Sequence, residues 1–276
     1  MLAYLGLKLT ILANKTLMGF KTLAYACVFG TNRCQILTIT ECSMTQSEHI
    51  LTPAFRHIES WVFDLDNTLY PARCNLFAQI DQRMGDFIAS TLNLSNAASK
   101  NLQKQYYLDH GTTMNGLMTH HGVDPHVFMD FVHDIDLSPV EHDAQLKAAL
   151  ERLPGKKYVF TNASTDHAEN VMERLGIARH FETIFDIVDA GFVPKPAHQT
   201  YLTFLEQSDI APTSAMMFED LSRNLEAPHK LGMTTVLITA ANHPDADIMS
   251  PQDDEPHVHF TTDSLGGFLT SIIGQS

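Results

Sequence analysis

Six short apolar runs, rich in aromatic and β-branched residues and ending in polar ones, govern what this chain can fold into: Trp61–Leu65, Lys157–Thr161, Thr183–Val188, Ala215–Glu219, Thr234–Ile238 and Val258–Thr261. Apolarity over so short a length, ending at polar residues, reads as a buried strand. Between these runs the period changes. Ala168, Val171, Met172 and Leu175 make one apolar helical stripe, with Ser164 or Thr165 to cap its start and Gly176 to end it. Tyr201, Leu202, Phe204 and Leu205 suggest a second helix, and residues 222–231 a third that ends at Gly232 and is kinked or shortened by Pro228. Alternation of strand and helix predicts parallel pairing through crossover helices, an α/β doubly wound, Rossmann-like sheet.

The first and second runs are too far apart for a plain crossover. Residues 74–152 carry helical periodicity (Phe77, Ile80, Met84, Phe87, Ile88, then Phe128, Phe131, Val132) and no convincing strand. They are expected to form an inserted helical cap domain, leaving 59–73 and 153–276 as the α/β core. Residues 1–43 differ again. Lys8, Lys15, Lys21 and Arg33 stand there against Glu41 alone, and the longest uncharged stretch, Thr22–Asn32, falls short of the roughly 20 apolar residues of a membrane span. Lysines break up any signal-peptide pattern, and arginine is scarce for a transit peptide. The segment is read as an extension upstream of Met44 rather than a targeting sequence, and it stays outside the fold argument. Pro244–Pro256 reads as a surface loop.

Charge limits the partners. A formal charge of −14 over 276 residues repels a nucleic-acid backbone, while a small anion needs only a local positive site, which a metal ion can supply. The four cysteines, Cys27, Cys34, Cys42 and Cys74, form no C-x-x-C pair and no framework across the core, which suits a reducing, cytoplasmic setting. Nothing in the chain sets an oligomeric state.

The chemistry gathers at the carboxyl ends of the strands, where open parallel sheets bind ligands. After the first strand come Asp64 and Asp66, two carboxylates two residues apart that would repel unless a divalent cation relieved them. After the second come Thr161 and Asn162, a hydroxyl and backbone N–H groups at a helix start. After the third, Lys195 lies between Pro194 and Pro196, which stiffen the backbone around its ammonium. After the fourth come Glu219 and Asp220, and Asp64 with Asp220 would suit magnesium. Each site has an ordinary alternative: a solvated turn, an N-cap, a surface lysine, or an acidic helix start. Their joint order is much harder to explain that way.

That order, Asp64-Leu65-Asp66-Asn67-Thr68, then Thr161-Asn162, then Lys195-Pro196, then Glu219-Asp220, resembles the four motifs of the haloacid dehalogenase superfamily over about residues 60–262. Asp64–Pro71 with Asn75, Tyr106-Tyr107, His110-Gly111, Phe160–Ala163 and Asp220 with Asn224 look like its pyrimidine 5′-nucleotidase branch. The resemblance implies a cap of the first type and a phosphomonoester hydrolase. Asp64 would be the nucleophile that becomes an aspartyl-phosphate, and Asp66 the general acid and then base. Thr161, the Asn162 backbone and Lys195 would hold the phosphoryl oxygens. Magnesium would lie on the Asp64 carboxylate, the Asp66 carbonyl and Asp220, with Glu219 just outside. The substrate would be a nucleoside 5′-monophosphate, UMP or CMP. Asp66 disfavours dehalogenation, since the dehalogenating members lack that group. A sugar-phosphate phosphatase, a β-phosphoglucomutase-like mutase and a non-enzymatic binding module are the alternatives; a membrane pump fails for want of spans. Arg73, Asn75 and Phe77 at the hinge could touch the leaving group, and Tyr106, Tyr107 and His110 could form an aromatic slot for a base, against the plainer reading of hinge and core packing. His120-His121 is read as a polar part of the cap and Trp61 as core.

Overall fold

The computed structural model describes residues 50–239 and 255–274. The leader, three of the four cysteines and most of the Pro244–Pro256 loop lie outside the described residues.

Six parallel strands form one sheet in the order β3-β2-β1-β4-β5-β6: β1 Ser60–Phe63, β2 Lys156–Phe160, β3 Thr183–Phe185, β4 Ala215–Glu219, β5 Thr234–Ile238 and β6 Phe260–Thr262. Alternate residues divide between the faces, as a period of two requires. Trp61, Phe63, Val159, Met216, Phe218 and Val236 pack into one apolar cluster, and Val62, Tyr158, Phe160, Met217 and Leu237 into the other. This explains why the strands read as continuous apolar runs: both faces are covered. The Phe63 and Phe218 rings stack at 4.7 Å across neighbouring strands, and burying such a side chain stabilises by about 1.5–3 kcal/mol. Helix α6 (Thr165–Leu175) covers the first face, while α7 (His198–Gln207) and α8 (Glu226–Leu231) cover the second. Ser164 caps α6 by accepting from the His167 N–H, and Gly176, at φ 73°, ends it.

Two expected elements come out shorter. Strand β3 stops at Phe185 because Asp186 turns the backbone: its Oδ1 accepts from the N–H groups of Val188 (2.8 Å) and Asp189 (3.0 Å). The helix expected over 222–231 begins as a 3-10 turn, Ser222–Leu225, and becomes α-helical only at Glu226. Pro228 is the third residue of α8, where its missing N–H has no helical partner to lose.

The insert supplies four packed helices: α1 Leu76–Leu92, α2 Asn96–His110, α3 Thr113–His121 and α4 Pro125–Val132. Ile80, Phe87, Ile88, Tyr106, Met114, Leu117, Phe128, Met129 and Val132 form its own cluster. Ile187 and Phe192, from the loop after β3, reach into that cluster and anchor the cap on the core. Helix α5 (Ala144–Arg152), which the sequence groups with the insert, packs differently. Its Leu146, Ala149 and Leu150 join the sheet's first cluster, against α9 (Leu265–Ile272). No helix among the described residues is long and apolar enough to cross a membrane.

Candidate functional site

Strand β1 is central, with β2 on one side and β4 on the other, so the chain reverses its direction of travel across the sheet there. At such a switch point the loops diverge and leave a crevice beyond the carboxyl ends. The acids, the lysine and the Thr161-Asn162 pair picked out by the sequence lie around this crevice.

The Asp64 N–H still donates to Phe218 O (3.0 Å), continuing the β1–β4 ladder, and the carboxylate emerges where the ladder ends. A turn follows, with Thr68 N and Leu69 N both donating to Leu65 O. Asn67 adopts φ 60°, a left-handed conformation that asparagine tolerates, and its Nδ2 donates to Asp220 Oδ2 (3.3 Å). The first and fourth acidic ends are thereby tied together.

Lys195 comes in from the loop after β3. Its Nζ donates to Asp64 Oδ1 (2.6 Å), Glu219 Oε1 (2.7 Å) and Phe160 O (2.9 Å), which uses all three ammonium hydrogens. Burial alone would lower its pKa, but Asp64 and Glu219 more than offset that and keep it charged. The Asn162 side chain clasps the lysine backbone, with Oδ1 accepting from Lys195 N (2.8 Å) and Nδ2 donating to Lys195 O (3.4 Å). Thr161 is buried beside it, its Oγ1 accepting from Ala163 N (2.9 Å).

Negative charge exceeds what this lysine neutralises. Asp64, Glu219 and Asp220 are buried, and each places a carboxylate oxygen within 4.8 Å of the others. Burial pushes Asp64 up to about 7; Lys195 pulls the other way, and Glu219 and Asp66 add to the rise. Asp220 is raised well above the carboxylate range by burial and then by repulsion from Glu219 and Asp64. Glu219 is engaged on both oxygens: Oε1 accepts from Lys195 and Asn224 Nδ2 (2.7 Å), and Oε2 from Leu221 N (2.9 Å). A crowded, all-oxygen set of this kind fits a hard divalent cation such as magnesium. Asp64 and Asp220 could ligate such an ion, while Glu219 already accepts hydrogen bonds on both oxygens.

Asp66 is partly exposed, unlike Asp64. Its Oδ1 accepts from Tyr70 Oη (2.6 Å) and His167 Nε2 (3.3 Å). Burial would raise its pKa, but the hydrogen bond and charge of His167 and the bond from Tyr70 outweigh it and hold the carboxyl below its usual value. Sequence reasoning had no role for His167. Its one signal was position: it is the third residue of α6, just beyond the Thr161–Ala163 strand end, and so it faces the crevice.

The cap residues fall into separate environments. Arg73 and Asn75 are exposed where the chain enters the cap, Asn75 at φ 55°, and Phe77 is 41% exposed. Tyr106 is buried between α2 and α3. Its Oη bonds His121 Nε2 (2.7 Å), its ring stacks on His120, and a Cβ on Gly116 would meet it at 2.2 Å. His110 is half-buried with Nε2 2.9 Å from His120 Nε2. Tyr107 turns outward and reaches the core, where the Arg223 guanidinium lies over its ring at 5.2 Å and donates to its hydroxyl.

The sequence profile of haloacid dehalogenase-like hydrolases matches residues 61–238, which contain all four strand ends. Phosphate metabolism protein 8 of Saccharomyces cerevisiae (strain ATCC 204508 / S288c) is 26% identical over 191 residues, spanning 63% of this chain and 60% of that protein. Among solved structures, a HAD phosphatase from Thermococcus onnurineus is similar at TM-score 0.54 and 14% identity, covering 79% of this chain and 98% of that one. The HAD-hydrolase YfnB of Bacillus subtilis, solved bound to magnesium, gives 0.51 at 14% identity, with 78% and 98% covered. A 2-haloacid dehalogenase from Pseudomonas syringae pv. Tomato DC3000 gives 0.51 at 16%, again with 78% and 98% covered. At such identities the structural likeness concerns the fold alone, and phosphatases and dehalogenases share it. Sequence profile, sheet order and the succession of strand ends agree on one conclusion, that this chain belongs to the haloacid dehalogenase-like hydrolases.

Proposed function

We propose that this hydrolase is a magnesium-dependent phosphatase that cleaves phosphomonoesters through an aspartyl-phosphate on Asp64, with a pyrimidine nucleoside 5′-monophosphate as substrate. The observation that carries the reading is the pairing of a buried carboxylate, Asp64, with a partly exposed one, Asp66, two residues further along the same crevice. Partly exposed Asp66 is placed to reach a leaving oxygen, and a divalent cation beside buried Asp64 would favour the charged carboxylate that attacks.

In this mechanism an Asp64 oxygen attacks phosphorus and the bond to the ester oxygen breaks. Asp66 delivers a proton to that oxygen as it leaves. Asp66, now a carboxylate, takes a proton from water as the water attacks the same phosphorus. The acyl-phosphate bond breaks, inorganic phosphate departs, and Asp64 is regenerated. The Thr161 hydroxyl and the Asn162 backbone N–H donate to the phosphoryl oxygens through a loose transition state, and the Lys195 charge, held beside Asp64, offsets theirs. Asp64, Asp220 and the Asp66 carbonyl would hold magnesium, which when bound offsets charge on the transferring phosphoryl group.

Several features support this reading over dehalogenation. Asp66 is the proton carrier that a phosphate ester requires and carbon–halogen cleavage does not. The yeast relative is named for phosphate metabolism, and a fold neighbour was solved with magnesium. The pyrimidine preference rests on the branch resemblance. Tyr107 is its most accessible aromatic group, and Tyr106 belongs to the cap's packing. Helices α1–α4 are taken as the cap, and the flanking segments with α5 as the core, in the cytoplasmic setting that the cysteine usage suits.

The test is phosphate release from a panel of nucleoside monophosphates and hexose phosphates, with magnesium or with chelator. Magnesium-dependent release that peaks at UMP or CMP is the expected result. Equal or better turnover of hexose phosphates would defeat the nucleotidase reading, and no release from any ester would defeat the phosphatase reading.

A further inference from the structure

We propose that His167, seated on His133, is a positioning residue for Asp66. Together with Tyr70 it fixes the carboxyl so that Oδ1 is the accepting oxygen and Oδ2 gives and takes the proton; this rests on the phosphatase reading above. Tyr70 Oη and His167 Nε2 both point at Oδ1, at 2.6 and 3.3 Å, from opposite parts of the chain. An oxygen that already accepts two hydrogen bonds is a poor place for a third hydrogen, so a proton on Asp66 belongs on Oδ2. No described residue donates to Oδ2. It is the oxygen left for the ester and then for water.

The support behind Asp66 is built in layers. Tyr70 is fully buried, and the His167 side chain is 1% exposed. The His133 ring lies flat on that of His167, centroids 4.4 Å apart and planes 17° apart, which restrains the ring from tilting. His133 is pinned in turn by Ser164, its Nδ1 lying 3.0 Å from Oγ, and Ser164 is also the N-cap that starts α6. His133 directly follows α4, where the chain leaves the cap for the core. The stack therefore ties the proton carrier to the root of the cap. A site holding its acid in one rotamer uses such supporting contacts to keep it within reach of the leaving oxygen.

A histidine pair that merely filled space would affect all substrates alike. A group that positions a general acid matters most when the leaving oxygen is a poor one, because an aryl oxide departs with little help. The experiment compares kcat/KM, which reports phosphoryl transfer to Asp64, for p-nitrophenyl phosphate and for UMP. It uses the full chain with magnesium, as wild type, His167→Phe, His167→Gln and Tyr70→Phe. In His167→Phe we expect UMP cleavage to fall about 10–100-fold, part of the 10²–10⁴ that a placed acid supplies, and aryl cleavage to fall less than about threefold. His167→Gln, whose amide still donates, recovers most of the UMP rate. Tyr70→Phe shows the same selective loss, and it answers for the proposal if His167→Phe fails to fold. Equal losses on both esters, or no loss in any variant, would overturn the proposal while leaving the phosphatase reading intact. A wild type inactive on both esters would remove that reading, and the proposal with it.

Discussion

Replacing Lys195 by methionine removes an ammonium from among buried carboxylates while nearly preserving the length of the side chain. The lysine side chain is 1% exposed and contacts Asp64 at 2.6 Å and Glu219 at 2.7 Å. At an effective dielectric of about 20, each of these contacts corresponds to a gross attraction of about 6 kcal/mol. Desolvation of the three ions offsets much of it. What remains on truncation is the cost of stranding two carboxylates without their cation, about 3–5 kcal/mol. The sign with pH follows from Asp64. Its folded pKa lies above the unfolded value, so it costs stability as pH rises from the unfolded value through the folded one. Without the pull of Lys195 the folded value climbs further, and that loss extends to higher pH. Lys195→Met should therefore fall short of wild type by about 3–5 kcal/mol near pH 8, and by clearly less near pH 5.5. Urea unfolding followed by circular dichroism in chelator, at both pH values, measures this. A variant within about 0.5 kcal/mol of wild type near pH 8, or a deficit that grows on acidification, would refute the picture of an over-charged carboxylate cluster held by one lysine.

Magnesium at a hundred times its dissociation constant should raise the wild-type melting temperature by about 5–10 °C, and Asp220→Asn should lose most of that rise in the same thermal scan. Gly116→Ala brings a Cβ to within 2.2 Å of the Tyr106 ring and should cost about 1–3 kcal/mol by denaturant titration as α2 and α3 are forced apart. Tyr106→Phe loses only the hydroxyl that bonds His121, so KM for UMP should stay within about twofold in a steady-state assay; a large rise would return Tyr106 to the substrate pocket.

The strands were legible because both faces of each are covered, which leaves an unbroken apolar signature at Trp61–Phe63 or Ala215–Phe218. The acids and the lysine at the strand ends were legible because a parallel sheet brings successive carboxyl ends to one edge. Allegiance and neighbourhood were not legible in this way. Helix α5 follows the insert in sequence, yet its apolar face answers to the sheet and α9. Tyr106 and Tyr107 are adjacent, but a helix turns about 100° per residue, so one enters the cap core and the other faces Arg223. His167 lies 101 residues from Asp66, and no local pattern announces a contact at that separation. Asp186 reads as a strand residue until its carboxylate is seen to accept from the backbone and end the strand.

The claim on which the account depends is that Asp64 itself takes the phosphoryl group. Rapid quenching in acid of the wild-type chain turning over its best phosphomonoester, followed by peptide mass spectrometry, tests it directly. The account predicts one added phosphoryl group on the peptide bearing Asp64, discharged by hydroxylamine and absent from Asp64→Asn. Turnover with no adduct, or an adduct that persists in Asp64→Asn, would contradict it.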